Sequence, residues 1–423
     1  MTAPTTGTRL SELTGLSPLT TTTICPDPLA AYERLREQWG GATVVPVELD
    51  PGVQAWLVTG YRDILHVVRV EDLFRRDPAH WAQMAAGGIP HDSPLGPMMA
   101  DRPNAYFRDG TTHQRLRAPL VDGLASLSTS RTATVIQQTS DRLLDRVLPT
   151  GLADLVPHYA AQVPMLTVAG LFGLSPHLSE RLQACLTALF GSREDSQAGS
   201  AELAAILTGT LAARREHPAG DLTTAFLHHP NFADDAEIVE SMVLMMSAGW
   251  ETTKTWIAQT LRLMLTDARF ASRLRGGHLG IDDALHEVLW LDPPMANMPA
   301  RYATTDLVLG GQHIAAGDPL ILAFAAGNAD PEARSDNEWD NLRNQAHLAF
   351  SAGQHACPAA QPARLIARTA ISTALNRLHD LQLTIPEAEI GVIPSPWTRC
   401  PDRLPVSFTA TTPRSSDAQE ATR

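Results

Sequence analysis

The chain predicts a mainly α-helical protein with small β-sheets, folded as a single large domain. Three observations carry that expectation. From residue 118 to about residue 207, apolar side chains recur at three-and-four spacing with turns only near 149–151 and 173–176, the pattern of successive amphipathic helices. Residues 242 to about 265 are apolar almost all round, which demands a helix at the centre of the fold. Strand-like stretches are few and short, and no long linker divides the 423 residues.

Composition narrows the class of function. Hydrophobic residues make up 44% and charged residues 19%, enough apolar material for a large core. The net charge of −13 argues against nucleic acid or an anionic membrane as partner, since both need clustered positive charge. No apolar run approaches the roughly 18 residues of a spanning helix, and no basic-then-apolar leader opens the chain, so a cytoplasmic location is expected. Cys25, Cys185, Cys357 and Cys400 lack C-x-x-C spacing, which opposes a zinc site or a disulfide framework. Lys254 is the sole lysine, and the arginine bias is read as base composition without functional weight.

In chain order, residues 1–24 and 411–423 are polar and aperiodic and are expected to be flexible tails around a domain spanning 25–410. Asp27 caps a helix running to Gln38. Strands follow at 42–48 and 54–59, joined by Asp50-Pro-Gly52, and then a helix at 61–70. The segment 80–109 carries Pro90, Met98, Met99, Tyr106 and Phe107. It reads either as a lid over a pocket or as a surface loop whose methionines fill gaps. Asp109 opens a helix placing His113 and Arg117 on one face, with Arg115 off it.

The central apolar helix holds Ala248-Gly-Trp-Glu251-Thr252-Thr253, an acid and two hydroxyls whose burial without a task would cost stability. Trp250 serves equally as pocket wall or as packing against a neighbouring helix. After His286-Glu287-Val-Leu-Trp290, the stiff run Pro293-Pro-Met295-Ala-Asn-Met298-Pro leads to Arg301 and to a hairpin turning at Gly310-Gly311. Strand patterns at 391–393 and 406–409 bracket Trp397. Between the hairpin and those strands, Phe350-Ser-Ala-Gly353-Gln-His355-Ala-Cys357-Pro358 sets one cysteine on a glycine-bearing loop just before a helix whose buried face is Ile366, Ala367, Ala370, Ile371, Ala374, Leu375 and Leu378. Pro358 and Pro362 suit its approach and first turn, and its positive end favours a thiolate.

The pattern Phe-x-x-Gly-x-His-x-Cys resembles the haem-binding loop of the cytochrome P-450 family, the haem-thiolate monooxygenases, and much of residues 27–405 resembles the family's soluble bacterial type. The resemblance implies the P-450 fold, with haem b (iron protoporphyrin IX) between the long central helix and the cysteine-ligand loop. It makes Cys357 the iron ligand, Phe350 the ring beneath the porphyrin, Gly353 the tight turn, and His113, Arg117, Arg301 and His355 the partners of the haem propionates. Glu251 and Thr252 become the acid–alcohol pair that delivers protons for O2 activation. Met98, Met99, Trp250, Met295, Met298 and Trp397 become the candidate lining for an apolar or aromatic small-molecule substrate from secondary metabolism.

Two positions depart from the family pattern. Ala359 stands where glycine is usual, and Trp290 stands where Glu-x-x-Arg has arginine, which resembles an actinobacterial branch of the family. A salt bridge from Glu287 to Arg343 is expected to replace the missing pair. With no flavin, nicotinamide or iron–sulfur fingerprint, electrons are expected from a ferredoxin and a ferredoxin reductase. Two alternatives stay open: oxidative C–C or C–N coupling of aromatic cyclic dipeptides, and a non-catalytic haem-binding regulatory protein.

Overall fold

The structure, a computed structural model, describes residues 9–89, 93, 95–189, 193–275, 280–333 and 344–412. It is mainly helical, and its described residues hold sheets of five, three and two strands. Pro90 and Arg343 lie outside the described residues, as do both ends of the expected tails.

Period-two alternation builds the largest sheet. Val45, Val47, Ala55, Leu57, Ile321 and Ala323 enter one apolar cluster, while Val44, Trp56, Val58, Leu320 and Leu322 enter another, so both faces are buried. Val44–Asp50 and Val53–Val58 form an antiparallel hairpin, Pro319–Ala323 adds in parallel, and Asn297–Ala303 and Phe74–Arg75 complete the order. Helix Tyr61–Arg69 covers one face with Ile64, Val67 and Val68. Helix Pro28–Gln38, capped by the Asp27 carboxylate on the Ala30 N–H at 3.0 Å, contributes Tyr32 and Leu35 to the other. The hairpin of Leu307–Leu309 and Gln312–Ile314 turns at Gly310 and Gly311, both at positive φ.

The helical body is organised around Asp235–Thr266, 32 residues and about 48 Å at 1.5 Å per residue. Residues 253–261 are buried without interruption. Around Ala248 that cover breaks: Ala248 is exposed, and Met245, Gly249 and Thr252, its neighbours on the same helical face, are only partly covered. Helix Gln162–Leu171 packs on one side. Ala360–Arg377 packs on the central helix as well and buries Ile366, Ala367, Ala370, Ile371 and Ala374 as its spacing predicts. Arg377, held by Asp141 and Asp145, and Tyr159, whose hydroxyl donates to the Ala370 carbonyl at 2.7 Å, fix that helix in place.

The expectation of a tail to residue 24 needs correcting. Leu10 and Leu19 are buried, and Leu19 N–H donates to the Glu48 carbonyl at 2.8 Å. The polar composition misleads because Thr22 and Thr23 return their hydroxyls to the carbonyls of Leu19 and Thr20, which lets threonine be buried. The strand expected at 391–393 is reduced to a single bridge between Val392 and Pro401. No described helix is long and apolar enough to cross a membrane.

Candidate active site

Cys357 sits on a loop that closes on itself. Its N–H donates to the Phe350 carbonyl at 2.9 Å, and the Ala356 N–H to the Gly353 carbonyl at 3.1 Å. Gly353 takes φ +72°, and a Cβ there would stand 2.2 Å from the Val68 carbonyl oxygen, so the end of helix Tyr61–Arg69 admits only glycine. The Asn328 side chain ties the loop to helix Ile281–Leu291, accepting from Leu348 N–H at 2.8 Å and donating to the Leu289 carbonyl at 2.9 Å. Phe350 packs edge-on against Trp256, with the Arg364 guanidinium 5.0 Å from its ring centre.

The Cys357 side chain is exposed, yet the crowded protein around it raises the thiol above its ordinary value. The Ala359 backbone N–H and the Arg117 and Arg364 guanidiniums pull the other way. The helix start alone therefore does not make a thiolate here, whereas a coordinated metal cation deprotonates such a sulfur outright.

Beside this loop lies a cluster of arginine and histidine side chains. His113 stacks on His355 with centroids 4.0 Å apart, and Arg117 Nη2 donates to the Ala356 carbonyl at 2.5 Å. Arg115, off that face as expected, is held by Glu237. Arg301 is 2% exposed, delivered from strand Asn297–Ala303 at an irregularity in its pairing. Arg76, from beyond the edge strand, lies over the Tyr106 ring at 3.7 Å and donates to the Pro299 carbonyl at 3.2 Å. Arg76 belongs to the cluster but escaped the sequence reading, since no periodicity marks it.

Among the described residues no salt bridge reaches Arg76, Arg117 or Arg301. Both ring nitrogens of His113, Nε2 of His355 and Nε of Arg76 are buried without a hydrogen-bond partner. Asp109 does not neutralise the group. Its carboxylate accepts the N–H groups of Arg76 and Asp77, and its 3.6 Å approach to His355 Nε2 is too long for a hydrogen bond. Burial, then the nearby Arg117, lowers His113 to about 4, and burial followed by Arg76 lowers Arg301 to about 9.

On the central helix, the Thr252 hydroxyl donates to the Ala248 carbonyl at 2.6 Å, four residues back. Glu251 is buried and bound to Lys254, with Nζ 2.6 Å from Oε2. The lysine set aside as compositional thus contacts the candidate acid, and being the only one in the chain was the signal that should have marked it. A Cβ on Gly249 would meet Val168 at an ordinary 3.5 Å, so packing does not itself demand glycine there.

Met99, Met295 and Trp397 are buried in one apolar cluster, with Met98 and Met298 packed against it. Trp250 is the exception. It lies in the helical core with its indole N–H donating to the Ala161 carbonyl at 3.0 Å, so it packs between helices away from the other five. The segment 80–109 is a series of short helical turns, including Ala82–Ala85, Gly96–Met99 and Ala105–Phe107. A cavity of about 840 Å³ opens elsewhere, between Trp256, His286, Leu289 and the Arg364–Arg368 side of the cysteine helix, and touches none of the six candidate substrate residues.

The expected Glu287–Arg343 pair falls partly outside the described residues. Trp290, however, donates its indole N–H to the Asn344 carbonyl at 3.0 Å, and His286 Nε2 meets the same oxygen at 2.7 Å.

No family model matches the chain. Among curated relatives, cytochrome P450-SU2 of Streptomyces griseolus is 30% identical over 348 residues, covering 80% of this chain and 84% of that protein. The chain belongs to the cytochrome P450 family. A second relative, the 2-hydroxy-5-methyl-1-naphthoate 7-hydroxylase of Streptomyces carzinostaticus, is 29% identical, covering 84% of this chain and 89% of that protein. The solved structure of CYP154A1 from Streptomyces coelicolor A3(2) matches at a TM-score of 0.80 and 28% identity, covering 93% of this chain and 99% of that one. As a P450 the protein is an oxidoreductase of the monooxygenase class whose cofactor is haem. The residues present fit that group: an exposed cysteine on a braced loop stands beside buried arginine and histidine side chains, several of whose nitrogens have no hydrogen-bond partner.

Proposed function

We propose that this P450 binds haem b through Cys357, takes electrons from a ferredoxin and its reductase, and oxidises a small apolar or aromatic substrate of secondary metabolism. The observation that carries the reading is the set of orphaned buried donors next to the cysteine loop. His113, Arg117, Arg301 and His355, joined by Arg76, would grip the two propionates, a task for which charge-assisted donors are suited. When bound, thiolate-ligated haem supplies O2 activation, the sulfur's electron donation favouring O–O cleavage.

The chain's own residues do the rest. Thr252 presents a hydroxyl from the one open face of the central helix, where it can hold or pass a proton, and Glu251 next to it resupplies that proton. The cluster of Met98, Met99, Met295, Met298 and Trp397 favours an apolar ligand. The naphthoate named for one relative is an aromatic substrate that also carries a carboxylate. We also assign the chain to an actinobacterial Glu-x-x-Trp branch, supported by the Trp290 contact to Asn344.

Turnover with labelled O2 tests the reading. Reconstitution with ferredoxin and reductase should give labelled product, and NADPH alone should give none. Thr252→Ala should lower product formed per O2 consumed while O2 uptake continues. Unlabelled, coupled product would favour the oxidative-coupling alternative, and an unchanged ratio in Thr252→Ala would remove the proton-delivery role.

A further inference from the structure

Lys254 is the single lysine of the chain, and it is buried in the middle of the central helix. Its ammonium lies 2.6 Å from Glu251 Oε2 and 4.5 Å from the centre of the Trp250 ring. The side chains are only 8% and 11% exposed. A buried ion pair adds little stability that well-packed apolar residues of similar volume would not, so its presence in the buried stretch of the central helix asks for a task. Removing one partner, by contrast, strands a charge in a poor dielectric, so the two side chains act as a unit.

The partner is the acid of the acid–alcohol pair. Its carboxylate is drawn one turn toward the C-terminal end of the helix by Lys254, whereas the Thr252 hydroxyl is turned the opposite way, onto the Ala248 carbonyl. No hydrogen bond joins Glu251 to Thr252 among the described residues. We infer that Lys254 is a positioning residue for proton delivery: it holds the Glu251 side chain apart from Thr252, so that the acid acts only when the Glu251–Lys254 pair opens. The inference rests on Glu251 being the relay acid.

The charged and titratable groups around Lys254 are few. Glu251 faces it from its own helix, and the fully buried Cys400, with Asp402 behind it, faces it from the turn that follows Trp397. Burial, opposed chiefly by Lys254, pushes the Cys400 thiol up to about 11, so Cys400 faces the ammonium as a neutral thiol at neutral pH. Burial works against the Lys254 ammonium, and Glu251 together with Cys400 more than offsets it.

The lone lysine makes the test specific. In the haem-loaded full chain grown with 15N-lysine, one side-chain ammonium signal should be present, protected from exchange at pH 8, and displaced by Glu251→Gln. A signal that exchanges like a solvated lysine and ignores Glu251→Gln overturns the inference. Product formed per O2 consumed is then followed against pH. Lys254→Met takes away the opposite charge 2.6 Å from the relay acid, so the profile should move by a unit or more toward alkaline pH, and Lys254→Arg should restore the original profile. Loss of yield at every pH without such a shift would mark a merely structural role and overturn the proposal. If Glu251→Gln leaves the ratio unchanged, the relay reading fails and the inference with it. A defect in Glu251→Gln with an unmoved Lys254→Met profile removes the Lys254 role alone.

Discussion

His113 and His355 stack with ring planes 27° apart and centroids 4.0 Å apart, one from helix Gly110–Ala125 and the other from the loop before Cys357. The contact ties two elements distant in sequence. Two imidazoles so close cannot both carry charge cheaply, and burial keeps the pair neutral near pH 7.

That neutrality makes the haem-free protein acid-sensitive. His113 takes its proton near 6.5 when unfolded and only near 4 when folded. Between those values the unfolded chain holds more protons, so stability falls as pH drops from about 6.5 to about 4, and above that window this group contributes nothing. The urea midpoint at pH 5 should lie below that at pH 7.5, and His113→Asn should shrink the difference. An equal difference in both proteins contradicts this.

Gly353→Ala should destabilise the protein by on the order of 2 kcal/mol or more, from the left-handed backbone and the collision with the Val68 carbonyl. Gly170→Ala, where a Cβ meets nothing within 4 Å, should change stability by no more than about 1 kcal/mol and in the stabilising direction. Denaturant midpoints compare the two. Similar values would mean the loop relaxes away from helix Tyr61–Arg69.

Trp290→Phe removes one of two donors to the Asn344 carbonyl and should cost roughly 0.5–1.5 kcal/mol. With His286 also replaced by Ala, the loss should exceed the sum of the single losses by about 1 kcal/mol, because the carbonyl then loses both donors. Strict additivity in a double-mutant cycle would show that the two donors do not share a task.

Much of this site was legible because its chemistry is written in short spacings. The cysteine loop, the His113/Arg117 face and Ala248–Thr252 are each local, and a helix fixes which neighbours share a face. Where residues meet across the fold, the spacing was silent. Arg76 reaches the cationic cluster through sheet pairing at Phe74–Arg75, and Lys254 gains meaning only from burial beside Glu251. Trp250 stayed open between pocket wall and helix packing for a related reason: a helix apolar all round has no hydrophobic phase, so the pattern does not say which side faces a ligand.

The central claim is that Cys357 ligates a haem iron, and the spectrum of the reduced, carbon-monoxide-bound protein tests it most directly. The wild type should give the long-wavelength Soret band of thiolate-ligated haem, and Cys357→Ser should lose it. A wild-type band at the shorter wavelength of histidine-ligated haem, or a thiolate band that survives in Cys357→Ser, would contradict the assignment.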